Sequence, residues 1–232
     1  MADAKIRKMT PNDLGFCMGL FSRVGWGNTS DDVRRMLFYE PDGCFIASLG
    51  GVDVGMVAST GYGEVGWVGN LIVLPEYRGR GIGAALMEAA IGHLLDAGAR
   101  SVRLDSVPKA VPLYRRLGFR EEYPSLRFRG PGRRLPSNGV ERVKREDLEG
   151  ILELDRRFFG APRERMLKRV LHDFTGLCFV ARVDGRVTGY IMAKVGEGVY
   201  RIGPWICEPD EPEIAQGLSL IHISEPTRQA EI

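Results

Sequence analysis

Apolar positions change their period several times along the chain. Residues 5–9 form a short run read as a strand. Thr10-Pro11-Asn12-Asp13 then supplies a hydroxyl cap, a proline at the first helical position and an acid near the helix start. That helix is expected to reach about Val24. Ser30-Asp31-Asp32 opens a second helix, ending near Glu40-Pro41. CFIASL and VDVGMVAST flank Gly50-Gly51 as a hairpin. Residues 67–74 are almost wholly apolar, the mark of a central strand buried on both faces. Gly69 interrupts them and signals a bulge or a close backbone approach. Ile82, Leu86, Ala90 and Leu94 recur every fourth position, so 82–97 reads as a helix stopped by Gly98. Val102 and Leu104 alternate with Arg103 and Asp105 as a strand. Residues 110–117 form a short helix closed by Gly118, and 119–128 supply one or two last strands. The expected fold class is α/β, a mixed sheet with helices on both sides in the order βααβββαβαβ(β).

Shifted by 134 positions, the sequence aligns with itself without a gap. Asp13-Leu14 meets Asp147-Leu148, CFIASLGGVDVG meets CFVARVDGRVTG, Gly69 meets Gly203 and Pro75 meets Pro209. A constant offset over that length reads as a tandem duplication. RGPGRRLPSNG (129–139) breaks both helix and strand and reads as a solvated basic linker. LSLIHISEPTR (218–228) continues no helical pattern set up before it and reverse-translates to a transposase adapter used in sequencing libraries. Residues 218–232 are therefore expected to be a translated adapter outside the fold, which removes His222 from consideration. The expected organisation is a first domain at 1–130, a truncated second copy at 139–217 and the adapter at 218–232. The second copy then lacks a counterpart to residues 84–128.

Composition narrows the function. The 232 residues are 44% hydrophobic and 27% charged, which excludes a disordered or collagen-like chain. No apolar run approaches a membrane span and the polar start does not resemble a secretory signal. A net charge of +2 does not announce a nucleic-acid binder. Cys17, Cys44, Cys178 and Cys207 form no CxxC pair or Cys/His cluster and read as small buried hydrophobes. A soluble cytoplasmic protein is expected, with no metal, nucleic-acid or membrane partner.

The chemistry concentrates at Arg78-Gly79-Arg80-Gly81-Ile82-Gly83, between the central strand and the long helix. Glycines let backbone N–H groups approach an anion, the helix start adds its dipole, and the arginines add charged donors. A phosphate or pyrophosphate ligand is expected. Gly79-x-Gly81-x-x-Ala84, with Asp105 further on as a ribose acid, meets a loose dinucleotide-binding pattern. That pattern follows the first strand of a βαβ unit directly, whereas here antiparallel hairpins and the polar Pro75-Glu76-Tyr77-Arg78 intervene.

LIVLPEYRGRGIGAALM (71–87), followed by LYRRLGF (113–119), resembles the GNAT superfamily of acyl-CoA N-acyltransferases. Its Q/R-x-x-G-x-G/A signature falls on Arg78, Gly81 and Gly83, and its second signature on Ala110, Leu113, Tyr114, Gly118 and Phe119. The whole chain is similar to bacterial proteins in which a second, degenerate GNAT-like domain follows the first. The resemblance implies acetyl-CoA as donor and a primary amine of a small molecule or peptide as acceptor, attacking directly. It places Leu71, Ile72 and Val73 beside the thioester carbonyl, Arg78 to Gly83 on the pyrophosphate, and Tyr114 as the acid that protonates the thiolate. Trp26 and Asn28 fall where the superfamily shapes its acceptor pocket.

The chain also departs from that pattern. Val107 stands where an asparagine often holds pantetheine, and Trp67 where some members carry a glutamate base. Glu64 is the candidate base, while His93 reads as packing. A non-catalytic acyl-CoA sensor and a basic adaptor acting through residues 127–146 are alternatives. At the repeat offset, Pro212-Glu213-Ile214-Ala215-Gln216-Gly217 replaces RGRGIG, so the second copy is expected to bind no CoA.

Overall fold

The computed structural model describes residues 4–131, 139–221 and 229–231. The chain divides into two units, Met1–Leu126 and Arg127–Ile232. The first contains β1 (Lys5–Lys8), α1 (Leu14–Val24), α2 (Ser30–Tyr39), β2 (Cys44–Leu49), β3 (Val52–Tyr62), β4 (Val65–Val73), α3 (Ile82–Asp96), β5 (Ser101–Arg103) and α4 (Val111–Arg116). The helix starts follow their caps: the Asp13 carboxylate accepts from the Thr10 N–H at 2.7 Å, and Thr29 and Asp32 cap α2 reciprocally.

The sheet runs β1-β2-β3-β4-β5, antiparallel except for the β4–β5 pair. Alternation sends Cys44, Ile46 and Met56 to one face, against Leu20, Phe21 and Val33. Ala47 and Val57 go to the other, against Leu86, Met87 and Ala90 of α3. Ala58 pairs with Gly69 and Met56 with Ile72, so Asn70 and Leu71 together oppose Val57. This is a β-bulge at the strand glycine. Asn70 absorbs it at φ 53°, a left-handed conformation asparagine tolerates better than most residues. The extra residue also swaps faces: Val68 packs with α3, Ile72 with α1 and α2.

The expected last strands differ from what the structure shows. Residues 119–128 form no strand, and Tyr123, Leu126 and Phe128 are exposed. Glu121-Glu122 and Pro124 explain this: the apolar positions sustain no alternation, and proline removes a ladder donor.

The second unit contains β6 (Arg129–Pro131), β7 (Val140–Arg142), α5 (Leu148–Phe159), α6 (Glu164–Asp173), β8 (Cys178–Val183), β9 (Arg186–Val195), β10 (Val199–Cys207), α7 (Pro212–Ile221) and β11 (Gln229–Glu231). Its sheet runs β6-β11-β10-β9-β8-β7. Cys178 pairs with Met192 as Cys44 pairs with Ala58. Ile202 pairs with Ala193 and Trp205 with Ile191, so Gly203 and Pro204 bulge, one position earlier at the repeat offset than Asn70 and Leu71. The repeat thus preserves the bulge.

α7 runs past residue 217: Leu218 is buried with Ala181 and Ile191, and Ile214 packs beside them. The i,i+4 pair Ile214/Leu218 gives this helix an apolar stripe that carries it into the stretch expected to be non-helical. His222, the rest of 222–228 and linker residues 132–138 lie outside the described residues. No helix among the described residues is long and apolar enough to cross a membrane.

Candidate active site

β4 and β5 pair only from Val65↔Ser101 to Trp67↔Arg103. Beyond that point β5 ends and β4 continues to Val73 with β3 on one side. A cavity of about 630 Å³ opens there, lined on its floor by residues 68–73 of β4. A strand's N–H groups point alternately to its two sides, so those not used by β3 face this opening. Leu71, Ile72 and Val73 all line it.

One wall is the loop and first turn of α3. Gly79 and Gly81 sit at φ 74° and 81°, a left-handed conformation that glycine adopts at little cost. Gly81 caps α3, so the free N–H groups of that helix start face the cavity mouth. A Cβ at either glycine would meet nothing within 4 Å, which leaves the backbone open to close approach by an anion. The Cβ position of Gly83 instead lies 3.5 Å from Leu113, so this glycine brings α3 and α4 together. Arg78 lines the cavity, anchored by its Nε donating to the Val73 carbonyl at 2.9 Å. Arg80 lies outside the lining, over the Tyr77 ring at 5.5 Å.

The opposite wall is α4 and the turn before it. Lys109, Leu113 and Arg116 recur at i, i+4 and i+7 along the lining, and Tyr114 joins them. The Tyr114 ring packs edge-on against Phe119 at 5.9 Å. Burial pushes its phenol above the ordinary value, so the hydroxyl keeps its proton. Burial and an oriented ring give an O–H donor in an apolar setting.

Val24 and Trp26 complete the cavity, with Trp26 stacked on Phe21 at 6.4 Å. Asn28 is buried outside the lining and its N–H donates to the Trp26 carbonyl at 2.7 Å, shaping the turn that presents the tryptophan. Glu64 is not brought to the cavity. It sits at the far end of β4, exposed, 3.4 Å from Arg100, while its carbonyl accepts from the N–H groups that open β5. His93 lies on α3 outside the lining, 3.1 Å from Glu40, whose other oxygen accepts from the Gly61 N–H. Asp105 and Asn70 also line the cavity; the sequence singles out Asp105 only as the ribose acid of the dinucleotide-binding pattern, and does not single out Asn70. Asp105 looks like the solvent half of an alternating strand, and Asn70 is signalled only by following the strand glycine.

The second unit is built differently at the corresponding place. Four residues (208–211) join β10 to α7, against eight (74–81) joining β4 to α3. Glu208 is bound by Arg157 and, at 2.8 Å, by Arg186.

Residues 18–119 match the acetyltransferase (GNAT) family, and residues 151–228 match an acetyltransferase (GNAT) domain. The holothin acyltransferase of a Pseudoalteromonas species is 25% identical over 79% of this chain and 62% of its own length. An uncharacterised N-acetyltransferase of Methanocaldococcus jannaschii is 34% identical over 50% of this chain and 61% of its own. The chain therefore aligns with about three fifths of each of these relatives. The crystal structure of a proposed acetyltransferase from Pyrococcus horikoshii superposes with a TM-score of 0.81 and 26% identity, covering 99% of this chain and 79% of that one. The chain belongs to the GNAT acetyltransferase family and carries two GNAT-type domains in tandem.

Proposed function

We propose that the first unit transfers an acetyl group from acetyl-CoA to the primary amine of a small-molecule or peptide acceptor by direct attack. The carrying observation is one cavity that joins the split of β4 from β5, the positive-φ glycines before α3, and the half-buried phenol of Tyr114. Acetyl-CoA supplies an activated acyl group on sulfur. The N–H groups at Gly79 to Gly83 and the Arg78 guanidinium would hold its pyrophosphate. N–H groups of Leu71 to Val73 would stabilise the oxyanion that forms at the thioester carbonyl. Tyr114 would give its proton to the departing thiolate. Trp26, on the turn shaped by Asn28, would line the acceptor's entry. The buried free thiols Cys17, Cys44 and Cys178 support a reducing, cytoplasmic setting. Repeat register and a division into two units at 126/127 support a catalytic first domain and a degenerate second one.

Thiol release from acetyl-CoA, followed with a panel of primary amines, tests the reading. Release should require an amine and yield its acetylated product. A full-length chain that binds no CoA by calorimetry would overturn it.

A further inference from the structure

We propose that Asp105 holds the acceptor's nitrogen, and that the acceptor therefore belongs to the amines that are cationic at neutral pH. This rests on the N-acetyltransferase reading of the cavity. Asp105 is the only carboxylate among the described residues lining that cavity, and no histidine lines it. The other charged residues of the lining are the cations Arg78, Lys109 and Arg116. Three cations suit the phosphates of a donor, whereas one anion suits a partner of the opposite sign.

Position supports the same assignment. β5 pairs with β4 as far as Arg103↔Trp67, and Asp105 follows two residues later, where the strands have parted. Continuing the parallel register would set it across the opening from Gly69, beside the bulge at Asn70 and Leu71. Its carboxylate is exposed and makes no ion pair among the described residues, so its acceptor capacity is free for a ligand. Glu64, the other acid weighed for this role, sits at the opposite end of β4 against Arg100.

The proton balance gives this anion work to do. An alkylammonium is a weaker acid than a carboxyl group by about six pH units, so the carboxylate binds the cation without keeping its proton. The ammonium loses one proton to solvent, and its lone pair then forms the C–N bond at the acetyl carbon. Nitrogen keeps its second proton until the tetrahedral intermediate collapses. The C–S bond breaks with its electron pair going to sulfur, which takes the Tyr114 proton, and the second nitrogen proton restores the tyrosine. One proton is released per acetyl group transferred.

The test needs no knowledge of the natural acceptor. S-(2-aminoethyl)-CoA carries an ammonium two carbons beyond sulfur, and S-propyl-CoA is its uncharged counterpart of equal length. The full chain should bind the ammonium analogue roughly 10-fold or more tighter than the propyl analogue, as expected of a charge-assisted hydrogen bond. Asp105→Asn should bring that ratio to about one, while CoA affinity changes by less than about 2-fold and the melting temperature is unchanged. Asp105→Glu, which restores the charge, should recover part of the preference. Equal affinities for the two analogues in the wild-type chain, with CoA still bound, would overturn the assignment and leave the acetyltransferase reading standing. A chain that binds none of the three would overturn the reading beneath it.

Discussion

Tyr114 depends on its surroundings for any role as an acid. Its hydroxyl is kept protonated by burial against the α3 cluster, and its ring is fixed by Phe119. Because the shift is upward, ionisation of this phenol should not limit the rate until the pH exceeds its ordinary value of about 10. Tyr114→Phe keeps the packing and deletes only the donor. The kcat should fall by about 10²-fold or more, with the KM for acetyl-CoA and the melting temperature nearly unchanged. Full kcat in steady-state assays of this variant would remove Tyr114 from the chemistry. Gly81 tests the other end of the cavity by a different physical route. A side chain there meets open space, so the cost of Gly81→Val is conformational, roughly 1–2 kcal/mol for an L-residue at positive φ. The distorted helix start should weaken CoA binding by about 10-fold or more in calorimetry. Unchanged affinity would mean that these N–H groups do not hold the ligand.

Each unit ties its first helix to its sheet through one arginine, but the arginine differs. Arg7 on β1 bonds Asp13 at 2.7 Å and also Asp53 at 2.7 Å. In the second unit Arg182 on β8 bonds Asp147 at 2.6 Å and reaches Glu141 on β7 at 3.0 Å. At the repeat offset Glu141 stands in the place of Arg7, and Arg182 in the place of Ser48. The joint survives although the cation has moved to the neighbouring strand. Arg7 holds the Asp13 carboxyl below the usual carboxylate range, so its contribution is present at neutral pH and lost as the pH falls through about 4 and below. Asp13→Asn should lower the melting temperature by a few degrees at pH 7, in line with roughly 1 kcal/mol for a helix cap. It should also flatten the fall in stability between pH 5 and pH 3. An unaltered acid profile would show that this pair carries none of it. Elements of this kind are legible in sequence when a rule is local. Caps, the hairpin glycines, the strand glycine and the four-residue stripe of α3 all announce themselves. The irregular course of 119–128 is harder to read, because Phe119, Tyr123 and Leu126 fall at i, i+4 and i+7 while Leu126 and Phe128 alternate, so the segment mixes the two periods and sustains neither.

At the scale of the whole chain, the glycine–arginine loop and Tyr114, which line one cavity, are legible because their residue types carry their chemistry wherever they stand. Asp105 reads in sequence only as a ribose acid, because it joins this cavity only where β4 and β5 part, a long-range event that no local pattern records. The same contrast separates the two units. Both keep the hairpin register and the central-strand bulge, which the core requires, but only the first keeps a loop long enough to turn N–H groups toward an anion. The connection shrinks from residues 74–81 to residues 208–211, and Pro204, which has no N–H, replaces Asn70 in the bulge. Glu208, Asp210 and Glu211 add negative charge where a pyrophosphate would have to lie, and only Glu208 is held by arginines. The full chain should therefore bind one CoA, and Gly81→Val should weaken that single event without exposing another. Calorimetry on the wild-type chain reads the stoichiometry directly. Two equivalents bound, or a second site surviving with undiminished affinity in Gly81→Val, would show that the shortened connection still cradles an anion and that both units are binding domains.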